Sequence, residues 1–112
     1  MKAARIEDMV KGWFVGNFKP SVHETTEFEV AIQEFKAGAR PAWHFHKIAT
    51  EITVIVSGKV QINGVLFPAG SIVVLEPNEP SEFIALEDTI TTVVKVPSLI
   101  GDKYTEPEGT TR

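Results

Sequence analysis

The sequence predicts an all-β fold in a single domain, closed on itself as a barrel or stacked as a sandwich. Three observations predict it. Short apolar runs recur roughly every ten residues between single Gly and Pro residues spread from Gly12 to Gly109, which is the spacing of an all-β chain. Several runs are β-branched or alternate apolar with polar side chains, as strands do. Helical patterning is scarce, with only Ala4 to Val10 able to make a turn or two before Gly12.

Taken in order, residues 1–26 read as an N-terminal arm ahead of a barrel core at about 27–97. Phe28 to Ile32 alternates cleanly, so it is expected as a half-buried strand. Ile52 to Val56 is β-branched throughout and reads as a strand buried on both faces. Ser57-Gly58 turns the chain into Lys59–Ile62, and Asn63-Gly64 turns it again into Val65–Phe67. Asn-Gly between apolar strands is a strong hairpin signal, because both residues tolerate positive φ. Further strands are expected at Ser71 to Leu75, Glu82 to Leu86 and Thr89 to Val96. Pro97, Gly101, Pro107 and Gly109 deny residues 98–112 a periodic pattern. They are expected as a C-terminal arm that packs on the core or on a partner chain and frays past Tyr104. About nine strands in one small domain must hide their edges, which leads to the closed or stacked architecture.

Composition narrows the function. The chain has 112 residues, 43% of them hydrophobic and 23% charged, too rich in apolar side chains for disorder. It can bury roughly two-thirds of the surface its unfolded form exposes. No apolar run approaches a membrane span, and the first residues lack a signal-peptide stretch. Eleven Lys and Arg against 15 Asp and Glu give a net charge of −4, which argues against nucleic acid as a partner. The absence of cysteine removes disulfides, thiolate metal sites and a Cys nucleophile, and fits a cytoplasmic location. Phosphate-cradling glycine loops and nucleophile elbows are absent too.

Chemistry concentrates at His44-Phe45-His46. Side chains at i and i+2 of an extended segment share a face about 7 Å apart along the chain, so both imidazoles can converge on one ion. Glu51 follows after Lys47-Ile48-Ala49-Thr50, a length suited to a short turn, and could bring a carboxylate to the same point. Two imidazoles and a carboxylate with open positions make a facial triad, favoured by Fe(II) and tolerated by Mn, Ni, Zn or Cu. Taken alone, His-x-His on a surface strand is more often solvated than metallated.

The surroundings add weight. Gly38, His44, His46, Glu51 and Gly58 stand at every fixed position of the first signature motif of the cupin superfamily, which this sequence resembles. The resemblance continues through the hairpin at Asn63-Gly64. Its second motif is Gly70-Ser71-Ile72-Val73-Val74-Leu75-Glu76-Pro77-Asn78, a glycine, a five-residue strand and a proline turn. It covers roughly Phe28 to Val96.

What the resemblance implies is a cupin-type double-stranded β-helix, a jelly-roll barrel. Such barrels often form homodimers and hold one divalent metal and a small-molecule ligand inside. The family's metal is held by two histidines and a glutamate of the first motif, here His44, His46 and Glu51, and by a histidine of the second. That fourth position falls on Ser81, with Glu82 beside it. The implied function is action on a small oxygen-rich metabolite, a sugar derivative or an organic acid. The chemistry would be that of a metal-dependent isomerase or of an Fe(II) dioxygenase. The alternative is a ligand-binding or structural cupin whose metal site has degenerated. No sequence feature names a catalytic base.

Other residues carry blander expectations. Glu82 reads as a solvated strand carboxylate and His23 as a loop imidazole. Trp13, Phe14 and Phe18 read as core or dimer-interface aromatics, and Trp43 and Phe45 as packing on the face away from the metal. Arg40 reads as a surface residue near the barrel mouth. Gln33, Gln61 and Asn63 either line the barrel or face water. Lys95, Lys103 and Tyr104 would close over the mouth if the C-terminal arm folds back.

Overall fold

A computed structural model describes residues 1–105 of the chain; residues 106–112 of the expected C-terminal arm lie outside the described residues. Two 3₁₀ turns, Ile6–Asp8 and Val10–Gly12, precede the strands. The strands are β1 (Trp13–Val15), β2 (Glu29–Phe35), β3 (Thr50–Ser57), β4 (Lys59–Ile62), β5 (Val65–Pro68), β6 (Ile72–Leu75), β7 (Phe83–Ala85) and β8 (Thr89–Val96). They form a five-stranded sheet in the order β1-β2-β8-β3-β6 and a three-stranded sheet in the order β5-β4-β7, both antiparallel.

Two tight connections explain why β3, β4 and β5 follow each other so closely. Gly58 has φ 90, and a Cβ there would lie 2.4 Å from the Thr89 hydroxyl and 2.5 Å from the Asp88 carbonyl, so only glycine fits. Asn63 (φ 52) and Gly64 (φ 79) both occupy the left-handed region that a two-residue hairpin requires. The Asn63 side chain locks the turn further: its amide donates to the Pro80 carbonyl and its oxygen accepts from the Glu82 N–H, both at 2.8 Å. This ties the hairpin to the entry of β7.

Ile55, Val60 and Ile62 form the buried core between the sheets, with Phe67, Val73 and Phe83 packed on them. Register sets what else faces inward. Leu75 lies opposite Glu51, Glu51 opposite Lys95, and Lys95 opposite Glu29, a single row across four strands. With period-2 alternation, that row places Glu51, Lys95 and Glu29 at one end of the inner face and the row of Ile55, Thr91 and Gln33 at the other.

Three details depart from expectation. Among the described residues the strands number eight, because His44 and Phe45 make only isolated bridges, to Ser81 and Tyr104. Trp13–Val15, held between Gly12 and Gly16, pairs with β2 and so makes part of the N-terminal arm an edge strand. Ile52–Val56 is not buried on both faces: Ile55 is fully buried, but Val56 is 53% exposed. Among the described residues no second layer covers the outer side of the larger sheet there. Beside it, on edge strand β6, Ile72 and Val74 are also exposed.

Candidate functional site

Extended backbone at His44-Phe45-His46 sends the two imidazoles to one side, and Phe45 to the other. Phe45 is buried, edge-on to Trp43 at 5.8 Å and stacked on Tyr104 at 5.4 Å between centroids. These aromatic contacts fix the outward side of the segment and hence the direction of both rings on the inward side. Glu51, the second residue of β3, points into the same space. One ligand atom from each of His44, His46 and Glu51 lies within 4.8 Å of the others. The Glu51 Oε2 atom is 4.0 Å from the His44 Nε2 and 3.8 Å from the His46 Nε2.

Those gaps are too long for hydrogen bonds. They are close to twice a metal–ligand bond of about 2.0–2.2 Å, so one ion seated between a ring and the carboxylate would touch both. The hydrogen bonds on the far side of each ring point the same way. His44 Nδ1 donates to the Ala42 carbonyl at 3.0 Å, and His46 Nδ1 donates to the Asp102 carbonyl. A carbonyl only accepts, so both Nδ1 atoms carry a proton, and in its neutral form each ring presents the Nε2 lone pair toward Glu51. His46 Nε2 is buried and has no hydrogen-bond partner. A donor set of two imidazoles and a carboxylate, each ring oriented by a hydrogen bond from its other nitrogen, fits a divalent metal ion.

Electrostatics agree with a neutral His44 ring. Burial pushes His44 below the ordinary imidazole value, assisted by the charge of Lys103 and by His46, against the raising influence of the Ala42 carbonyl and Glu51. For Asp102, burial acts to raise the carboxyl. The backbone N–H groups of Ala49, Lys47 and Ile48, with the nearby His46, outweigh it and hold the group below the usual aspartate value.

The triad opens into a cavity of about 710 Å³ whose walls include Thr53, Thr91, Phe83, Trp13, Lys95 and Lys103. That is within the roughly 300–1,000 Å³ range of small-molecule sites. Ser81 lines the cavity as well, paired with His44 through two backbone hydrogen bonds of 3.4 and 2.7 Å. The position counted from Gly70 as the family's fourth ligand therefore sits directly beside the first histidine, with a hydroxyl in place of an imidazole. Glu82 and His23 are exposed, and so is Arg40. Gln33 lines the cavity and its amide donates to the Lys11 carbonyl, Asn63 serves the hairpin, and Gln61 is not among the lining residues. Phe14 and Phe18 are half-buried, with Phe18 edge-on to Trp13.

Sequence reasoning missed two parts of the site. One is a buried ion pair: Lys95 Nζ lies 2.6 Å from Glu29, whose other oxygen accepts from the Ser98 hydroxyl at 2.9 Å, with the Trp13 ring 5.1 Å from the ammonium. The alternation of Phe28, Val30 and Ile32 with Glu29 points Glu29 toward solvent, so no sequence signal marked it, whereas in the structure Glu29 and Ala31 are the buried side of β2. The other is Asp102, which no local pattern marks. The C-terminal segment does fold back, so Lys103 reaches the cavity and Tyr104 covers Phe45.

No family model and no curated protein matches the chain. Solved structures do. The chain is 31% identical to a cupin protein from Bacteroides fragilis over 79% of this chain and 80% of that one, with a TM-score of 0.56. A protein with a double-stranded β-helix domain from Klebsiella pneumoniae is similar at 24% identity, 71% of each chain and a TM-score of 0.65. The nucleoside dehydratase Pac13 is similar at 15% identity, covering 71% of this chain and 68% of that one, with a TM-score of 0.62. The two antiparallel sheets, the motif glycines and these likenesses together place the chain in the cupin superfamily, with its double-stranded β-helix fold.

Proposed function

We propose that this cupin binds one divalent metal ion through His44, His46 and Glu51 and acts on a small, oxygen-rich metabolite in the cavity beside it. The observation that carries the reading is the buried His46 Nε2 without a partner, in a ring whose other nitrogen is already committed. An unpaired buried polar atom costs about 1–3 kcal/mol, so its persistence calls for an occupant. The Thr91 hydroxyl is the other such atom among the described residues, and it lines the same cavity. A bound ion would supply Lewis-acid polarisation of a substrate oxygen, or, as Fe(II), O₂ chemistry.

The chain's own residues define what would bind. Lys95 and Lys103 line the cavity with the triad, and Lys103 is near enough to His44 to depress its protonation. Lys95 is paired with Glu29, which offsets its charge. Of the two substrate classes expected, sugar derivatives and organic acids, the Lys103 ammonium favours a carboxylate-bearing one. Likeness to a nucleoside dehydratase supports chemistry on a small molecule. A second reading, a non-catalytic ligand-binding or structural cupin, is favoured by Ser81 at the position of the family's fourth ligand.

Elemental analysis of protein purified without chelators is the test. Close to one divalent ion per chain is expected, and His44→Ala, His46→Ala or Glu51→Ala should each remove it. A wild-type protein that carries no ion and takes up none of Fe, Mn, Ni, Zn or Cu would sink the proposal. Oxygen uptake or turnover in a panel of small acids and sugars with metal restored separates the enzyme from the binder.

A further inference from the structure

Asp102 lies beyond the last strand, is 7% exposed, and touches the triad region with both its side chain and its main chain. Its carboxylate accepts three consecutive backbone N–H groups, from Lys47 at 2.9 Å, Ile48 at 3.2 Å and Ala49 at 2.9 Å. Those three residues belong to the loop that links His46 to β3 and Glu51. The Asp102 carbonyl accepts the Nδ1 proton of His46. Two residues on, Tyr104 and Phe45 exchange backbone hydrogen bonds of 3.0 Å each, so the C-terminal segment is laced along the Phe45–Ala49 stretch.

We infer that Asp102 is a positioning residue for the proposed metal site. One residue fixes the relative placement of two ligands: its carbonyl orients the His46 ring, and its carboxylate freezes the loop that sets the distance from His46 to Glu51. The inference rests on the reading that His44, His46 and Glu51 hold an ion, and it adds how the ligands are held. A carboxylate that only anchored the arm would have no need to gather three successive amides from the one loop between two ligands. His44 has a local orienting partner in Ala42; His46 depends on a residue brought from the far end of the chain.

The test uses the full chain with Asp102→Ala and the near-isosteric Asp102→Asn, each first checked for cooperative unfolding. Two readouts follow. In metal-free protein at pH 8, nitrogen–proton correlation spectra of the imidazoles should show wild-type His46 wholly in the Nδ1–H tautomer. Asp102→Ala should turn His46 into a mixture, with His44 unchanged as the internal control. Zinc affinity, measured by competition with a chromogenic chelator, should fall about 10–100-fold in Asp102→Ala, with Asp102→Asn intermediate because it keeps one acceptor oxygen. Should Asp102→Ala fail to fold, Asp102→Asn decides on both readouts. A folded variant with the wild-type tautomer and a zinc affinity within twofold of wild type overturns the inference. Wild-type protein that binds no zinc, in which the variant still shifts the His46 tautomer, overturns the metal reading and leaves the positioning of the ring standing.

Discussion

Replacing Lys95 by Met tests whether the row Glu51–Lys95–Glu29 is a functional electrostatic unit or surface ornament. The Lys95–Glu29 contact is 2.6 Å, with side chains only 15% and 9% exposed. Removing one partner of a buried pair costs about 3–5 kcal/mol, because the other charge is left unpaired. Here the Ser98 hydroxyl still holds one Glu29 oxygen, which puts the loss at the lower end, about 3 kcal/mol. The lost contact with the Trp13 ring adds about 0.5–1 kcal/mol. With urea slopes of about 1–3 kcal/mol per molar, the unfolding midpoint at pH 7 should fall by at least about 1 M. Neutralising both partners is different: Lys95→Met with Glu29→Gln keeps a Ser98 acceptor and leaves no stranded charge, so most of the loss should be recovered. If the double variant is as unstable as the sum of the singles, the two side chains do not act as a pair and the electrostatic account of the cavity is wrong. Metal content should survive in all three variants, since the proposed ligands are untouched.

Ser81→His should restore the family's fourth imidazole beside His44. Competition titration with zinc would then show tighter binding than wild type, and unchanged affinity would mean that the Ser81 side chain does not reach the ion. For metal-free protein, acid should destabilise in two stages. His44 is depressed in the fold, so the unfolded chain takes up the proton first; stability is full above the ordinary value of 6.5 and declines as pH falls below it. Asp102, also depressed, adds a second decline below 3.8. Melting temperatures from pH 8 to 3 check this, and a rise between pH 7 and 5 would contradict it. A homodimer is expected to form over β6, where Ile72 and Val74 stand exposed on an edge strand; Ile72→Lys should then shift the mass in sedimentation from two chains to one, and a wild-type monomer would refute it.

What the sequence made legible was local. Lys59–Ile62 and Thr89–Val96 are strands at the residues expected, because their ends are set by Gly58, Asn63, Pro97 and neighbouring turns. The convergence of His44, His46 and Glu51 followed from alternation and a short loop. The place of Ser81 followed from counting along a strand and its turn. What stayed hidden was long-range. Nothing within a few residues of Asp102 announces that its partners are the amides of Lys47, Ile48 and Ala49, and the pairing of Glu29 with Lys95 depends on the register of β2 against β8. Trp13–Val15 escaped notice because three residues are too few to show a period. The β-branched run of β3 suggested burial on both faces, yet composition cannot say whether a second layer exists to cover the outer one.

Ser81 and Asp102 bear on the same question, whether the barrel is a working site or a relic. A site that had decayed after losing an imidazole would be expected to satisfy its remaining polar atoms, by letting the rings turn toward Glu51, toward each other or toward the Ser81 hydroxyl. The geometry runs the other way. Each ring is pinned by a carbonyl behind it, Glu51 is held 3.8 and 4.0 Å off, and His46 Nε2 is left buried without a partner. Holding a lone pair unsatisfied costs stability that a purely structural core has no reason to forgo. With serine in place of histidine, the side of the triad next to His44 faces a small hydroxyl and the cavity beyond it. A small side chain at that spot would leave the proposed ion open on that side, which is what binding a substrate oxygen there would require.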